Sequence, residues 1–374
     1  MTSAARILAL ASFLTLASGA AAVHAGAPPV APVRNVVEER WGVKLNDPYR
    51  YMEDLKAPEV QAWIKGQADC TDSALAHLPI RDELLARIQE LDSGRPFRVN
   101  GIRRLKSGQL FYLKVRAEEN LAKLYTRSTP DGGERLLVDP TTLTPPGGGH
   151  YSISFYVPSG DGRRVTYGLA PSGSENDVLH VLDVASAKDL PDTIDRMEDG
   201  YTPPQWLDDG GGFYYSRRQL LAEGAPATDG YKHTRSYLHR LGSDPAQDPV
   251  AFAMELWPNV TMSDTDFPSV VLAAGSGYAI GKIKHGDANQ LTLYAAPLGK
   301  SGDVSKQPGA GSPWKQICDV ADSVTDFAVH GGDIYLMSSR GAPRFKVVKT
   351  ALARPDFAHA AVIVPPSARV VDGI

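Results

Sequence analysis

Serine, histidine and aspartate are the residues with which a hydrolase builds a nucleophile, its base and the group that orients the base. This 374-residue chain holds all three types but not in a recognisable catalytic pattern. A G-x-S-x-G elbow would lift a serine hydroxyl onto a sharp strand-to-helix turn, and none is present. Ser172, Ser174 and Ser276 stand beside glycines without the pattern, in segments that read as turns between strands. Of nine histidines, His233 and His239 form the only close pair. Their spacing fits no common zinc motif, HExxH is absent, and the pair reads as surface residues of a hairpin. The acids Asp208, Asp209, Asp161 and Asp333 fall in turns, where aspartate is favoured for geometry alone. Gly147-Gly148-Gly149 precedes a strand and reads as a flexible loop, and no glycine fingerprint or phosphate loop opens a helix. The residues therefore predict no metal, no cofactor and no self-contained active site.

The elements that would position chemistry change character along the chain. Arg6 and the apolar run Ile7 to Leu16 read as an export signal, residues 1–25, with Val23-His24-Ala25 as a small-residue cleavage site and a mature start near Gly26. A membrane anchor is the alternative, but Ser12, Thr15 and Ser18 interrupt the apolar run. No later segment has eighteen uninterrupted apolar residues, so no other membrane contact is expected. The expected location is periplasmic or secreted. With 43% hydrophobic and 22% charged residues the chain can bury a core. A net charge of −4, without a basic run, disfavours nucleic acid and anionic membranes as partners. Two cysteines, Cys70 and Cys318, lie in segments of different character and are expected to be free thiols.

Residues 26–96 read as an extended, proline-rich arm followed by two helices. Pro58 suits a first helical turn, and Val60, Trp63 and Ile64 recur at helical spacing. Pro79 opens a second helix, with Ile80, Leu84, Leu85, Ile88 and Leu91 on one stripe and Ser93-Gly94 as its stop. From about residue 97 the helical stripes vanish. Short runs such as Gln109 to Arg116, Arg164 to Ala170, Gly212 to Arg218, Gly277 to Lys284 and Asp333 to Ser339 each follow a tight glycine turn. Gly108 and Gly332 lie 224 residues apart, so the four steps between the turns average about 56 residues. Further strand-like runs fill each step. Four strands per unit at this period is a β-propeller signature, and a sandwich of unrelated hairpins is the alternative. The fold class expected is mainly β: an incomplete β-propeller of about five four-stranded blades over residues 97–374, preceded by a short two-helix segment. Val362 onward reads as the opening of another blade, with Arg369-Val370-Val371 as a strand start. An open blade edge is unfavourable, so the sequence is expected to stop short of a finished propeller.

The stretch Asn46 to Gln67, "NDPYRYMEDLKAPEVQAWIKGQ", resembles the N-terminal signature of the prolyl oligopeptidase family of serine peptidases. Asp47, Pro48, Tyr49, Tyr51, Glu53 and Asp54 match its turn, and the helix bearing Trp63 follows as in that family. Similarity continues through Arg135 to Leu143, Gly160 to Glu175, Lys188 to Arg196 and Trp206 to Arg218. The resemblance implies a seven-bladed propeller capping an α/β-hydrolase domain, whose main segment follows the propeller and carries the serine, aspartate and histidine. None of those three has a counterpart in this sequence. The resemblance also implies one ligand contact: Tyr201, five residues before Trp206, stands about where a family aromatic reaches toward peptide. An ordinary blade aromatic is the other reading of Tyr201.

Two functions follow as expectations. The first is the propeller portion of an exported, monomeric peptidase acting on short proline-containing peptides through a hydrolase segment, with this chain alone inert. The second is a free-standing propeller that binds peptides or proteins. A five-bladed glycosidase is disfavoured, because the acids lie in turns rather than facing an axis.

Overall fold

The computed structural model describes residues 27–198, 202–299, 302–304 and 312–374. The proposed export signal lies outside them. By its contacts the chain divides into Met1–Arg95 and Pro96–Ile374.

In the first unit, the arm expected to be extended contains a hairpin, Val36–Arg40 paired with Val43–Asp47. Trp41 and Gly42 both take positive φ, 52° and 77°, as a two-residue turn matched to strand twist requires. Asp47 accepts a hydrogen bond from the Tyr49 amide at 2.9 Å and pairs with Arg50 at 2.9 Å, which explains the Asp-Pro-Tyr turn. Helix α1, Pro58–Ala76, begins on its proline as read from the sequence. Its Trp63 Nε1 and Gln67 Nε2 both donate to the Pro29 carbonyl, at 2.9 and 2.7 Å, and strap the arm to the helix. Helix α2, Arg81–Ser93, starts two residues after Pro79 rather than on it. Val60 is buried, whereas Leu84, Leu85, Ile88 and Leu91 of α2 are exposed.

The second unit contains five four-stranded antiparallel sheets among the described residues, each a simple meander. Blade 1 comprises Phe97–Arg104, Leu110–Arg116, Lys123–Arg127 and Arg135–Val138. Blade 2 comprises Tyr151–Pro158, Arg164–Pro171, Val178–Asp183 and Lys188–Ile194. Blade 3 comprises Gln205–Trp206, Gly212–Arg217, Arg235–Arg240 and Val250–Phe252. Blade 4 comprises Asp266–Ala273, Tyr278–His285, Leu291–Pro297 and Lys315–Cys318. Blade 5 comprises Val324–His330, Asp333–Ser338, Lys346–Ala351 and Ala361–Val364. The turn glycines Gly108, Gly162, Gly210, Gly275 and Gly331 close the first hairpin of successive blades, all at positive φ.

Apolar side chains on both faces of the sheets join each blade to the next. Phe111 and Leu124 meet Val165 and Leu182 between blades 1 and 2. Leu179, Val181 and Ile194 meet Phe213 and Tyr215 between blades 2 and 3. Tyr214 and Phe252 meet Ile283 and Tyr294 between blades 3 and 4, and Ile280 and Leu293 meet Ile334 and Leu336 between blades 4 and 5. Serial face-to-face packing of this kind is the propeller architecture. One strand differs from the sequence reading. Ala361–Val364 does not open a further blade; it pairs with Lys346–Ala351 as the fourth strand of blade 5. Residues 365–374 form no strand, and the Val371 amide donates to the Arg344 carbonyl at 3.1 Å. Satisfying the open edge of the third strand outweighs continuing the repeat.

The tightness of the packing makes a prediction. A side chain at Gly212 would drive its Cβ into the His239 carbonyl oxygen of the paired strand, a backbone atom that cannot swing aside. Gly212→Ala is expected to lose about 1–3 kcal/mol. A urea midpoint equal to that of the parent would contradict it.

Candidate functional site

Most sequence-selected residues serve the turns. Ser276 Oγ donates to the Ala273 carbonyl at 2.7 Å and accepts from the Tyr278 amide at 3.0 Å. The Ser174 amide donates to the Pro171 carbonyl, and Ser172 takes φ 49° in the same turn. Asp161 and Asp209 accept from the backbone amides of Arg163 and Gly211. Asp333 pairs with Lys349 at 2.9 Å. Tyr201 lies outside the described residues. The nearby Thr202 hydroxyl meets Ser269 at 2.9 Å, and Trp206 Nε1 donates to the Val157 carbonyl of blade 2 at 2.9 Å. Cys70 and Cys318 are not joined to each other in a disulfide, and burial pushes the Cys318 thiol far up, so it is inert.

The histidine pair separates. His233 is exposed, but His239 is not a surface residue: its side chain is fully buried between blades 2 and 3. Its Nε2 lies 2.9 Å from Asp192 Oδ1 of blade 2, and its Nδ1 lies 2.9 Å from Asp248 Oδ2 of blade 3. With a carboxylate at each ring nitrogen, the imidazole donates from both, which is the cationic form. The Tyr215 hydroxyl also donates to Asp248, at 2.9 Å, and the Gly242 amide to Asp192, at 2.5 Å. Burial alone would lower the His239 pKa, but the bonds to Asp248 and Asp192 outweigh it and hold it above the usual histidine value. This is an ionic clasp between blades. Its two carboxylates stand on opposite sides of the ring and leave it no reactive face.

A second network has the order of a catalytic triad. His285 Nδ1 is 3.0 Å from Asp266 Oδ1 and its Nε2 is 2.8 Å from Thr292 Oγ1. Burial would raise the Asp266 pKa, but His285 and the Ser263 amide hold it below the ordinary range. Such a chain activates a hydroxyl where a carbonyl can reach it. Thr292 is only 4% exposed and lines neither of the two cavities described next, so no ester can approach, and the network works as a polar seam within blade 4.

Several cavities open on the propeller unit, and two of the larger ones carry clustered basic side chains. One, of about 560 Å³, lies between blades 4 and 5 and is lined by Lys282, Lys284, Thr325, Asp326 and Phe327. Burial, aided by Lys284 and opposed by Asp326, lowers the Lys282 pKa to about 8. The other, of about 670 Å³, is on blade 3 and gathers Arg196, Arg217, Arg218 and Arg235 beside His233 and Thr234. Sequence reading missed both cavities. A signal for the second existed in the strand register, where Arg217 stands directly opposite Arg235, since like charges so placed repel. Among the described residues no three His, Cys, Asp or Glu side chains are grouped to hold a metal. Nor is any described helix long and apolar enough to cross a membrane, which leaves spanning strands unaddressed.

Five serially packed four-stranded blades among the described residues, following a helical segment in the sequence, define a β-propeller protein, and the comparison with known families specifies which kind. Residues 28–374 match the family model described as prolyl oligopeptidase, N-terminal beta-propeller domain, and the chain belongs to that family. It is 25% identical over 325 residues to the prolyl endopeptidase of Elizabethkingia meningoseptica, covering 84% of this chain and 41% of the relative. It is 26% identical over 254 residues to dipeptidyl aminopeptidase BI of Pseudoxanthomonas mexicana, covering 64% and 34%. Among solved structures, one from a study of two prolyl endopeptidases superposes with a TM-score of 0.74 at 28% identity, over 91% of this chain and 47% of that one. The prolyl oligopeptidase B of Galerina marginata, bound to a 35-residue substrate, shares the fold at a TM-score of 0.72 and 17% identity. The chain thus spans less than half the length of these relatives.

Proposed function

We propose that this chain is the helical and propeller portion of an exported serine peptidase of the prolyl oligopeptidase type, and that it governs the access of short proline-containing peptides to a catalytic hydrolase segment. The family match across residues 28–374 carries the reading. The first unit supports it: Leu84, Leu85, Ile88 and Leu91 line an exposed stripe of α2 that a hydrolase segment would cover. Catalysis needs a nucleophile, a base and oxyanion donors held together, and the one nucleophile–base–acid chain described above is sealed by burial at Thr292.

The purified 374-residue chain is therefore expected neither to cleave a proline-containing chromogenic peptide nor to label with a fluorophosphonate. Joined to the hydrolase segment of a prolyl endopeptidase relative, it is expected to gain both signals. Inhibitor-sensitive turnover by the 374-residue chain alone would refute the reading, and labelling at Thr292 would identify the missed site. A peptide-binding propeller without catalytic association would show itself as peptide binding with no gain of turnover in the joined protein.

A further inference from the structure

The blade 3 cavity contains more positive charge than its own structure uses. Arg217 is fully engaged: it pairs with Asp195 and also donates to the Asp195 and Pro245 carbonyls. Arg196 binds Asp195 at 3.2 Å and the Arg218 carbonyl at 3.1 Å. Arg218 donates to the Glu175 carbonyl and to Asn176 Oδ1, with Glu198 3.8 Å from its Nε. Glu255 stands on the rim. Four guanidiniums face those three carboxylates, and the cation left over is Arg235. It is exposed, and its guanidinium has no ion pair or hydrogen bond among the described residues.

Two further observations point to a ligand. Thr234 lines the cavity at 2% exposure, and its Oγ1 has no hydrogen-bond partner among the described residues. An unsatisfied buried hydroxyl costs free energy unless something binds it. His233 and Glu255, both on the rim, take positive φ of 52° and 63°, a backbone strain that tends to persist where a site requires it. The apolar remainder of the wall, Leu220, Met254 and Pro245, suits an organic chain better than a bare inorganic anion.

We propose that this cavity is a carboxylate-binding site for peptides, in which Arg235 supplies the free guanidinium and Thr234 the buried hydroxyl donor. The inference rests on the reading of the propeller as a peptide-handling module and adds a specificity to it: peptides bearing a terminal or side-chain carboxylate are preferred over neutral ones. The planar guanidinium matches a carboxylate in two parallel bonds. Because the whole chain has a net charge of −4, nonspecific attraction works against an anionic peptide, so a preference for one reports a site.

The test is fluorescence anisotropy with the 374-residue chain and four dye-labelled, proline-containing hexapeptides. They are a C-terminal acid, its amide, an amide with one internal Asp, and the same amide with Asn. At least one acid-bearing peptide is expected to bind about tenfold or more tighter than its neutral counterpart. Which pair shows the difference tells a chain terminus from a side chain. Arg235→Gln is expected to abolish the advantage, Thr234→Val to reduce it, and Glu255→Gln to enlarge it by removing the rim carboxylate. Raised salt should weaken the preference. Equal binding of acid and neutral peptides, no binding by any of the four, or an advantage that survives Arg235→Gln in a protein of unchanged circular dichroism would overturn the proposal. Proline-specific cleavage by the joined enzyme is scored separately. Its failure would sink the peptidase reading without touching the carboxylate preference, and the reverse outcome would sink only the site.

Discussion

His239→Leu is expected to destabilise the propeller by about 3–5 kcal/mol, because it removes the cation from a buried charge cluster and leaves two carboxylates facing an apolar side chain. The groups around the imidazole define the effect: Asp192 from blade 2, Asp248 and the Tyr215 hydroxyl from blade 3, and the Phe213 ring at 5.2 Å. The sign with pH follows from the raised pKa. The folded state holds the proton more tightly than the unfolded state does, so the stabilisation is complete below the unfolded histidine value of about 6.5. It is lost as pH rises through the folded value. Urea midpoints should therefore fall with rising pH in the parent across that window, and His239→Leu should remove this fall. Adding Asp192→Asn and Asp248→Asn to His239→Leu should recover much of the loss, since no uncompensated charge then stays buried. A His239→Leu protein as stable as the parent at pH 6 would show that the clasp contributes nothing.

Lys282→Met is expected to act in the opposite direction, raising stability near pH 7 by about 3 kcal/mol at most. The ammonium of Lys282 is depressed to about 8 by burial, with Lys284 adding to the effect and Asp326 opposing it. Here the unfolded state binds the proton more tightly. The penalty is fully present below about pH 8 and is relieved as pH rises toward the unfolded lysine value of about 10.5. Methionine keeps the length of the stem and removes the charge. Its stability curve should lie above that of the parent at pH 7 and converge with it by about pH 10.5. A loss of stability on substitution would show that the cation in this cavity is needed by its surroundings. The two residues thus predict a composite profile, falling above about pH 6.5 through His239 and rising again above about pH 8 through Lys282.

The blade architecture was legible in short stretches of the chain. Glycine turns at Gly108, Gly162, Gly210, Gly275 and Gly331 require positive φ, and the strand runs between them alternate locally, so blade number and order are encoded within short windows. The Asn46 to Gln67 stretch likewise carries its family signature in contiguous residues, and Pro58 marks the start of α1. Where charge is buried was settled by the packing of blade on blade. Asp192 and His239 are 47 residues apart and Asp248 is nine further on, and nothing local distinguishes this histidine from the exposed His233. Only the packing of blade 2 on blade 3 removes it from water and sets a carboxylate at each nitrogen. The same holds for Ala361–Val364, whose apolar run is a strand in any reading but whose partner was settled by the open edge of Lys346–Ala351. It holds again for Arg235, which the hairpin register places opposite Arg217. Turn geometry and side-chain alternation are properties of neighbours in sequence. Burial, charge pairing and cavity shape arise between segments that meet only when the blades stack, and their energies depend on that meeting.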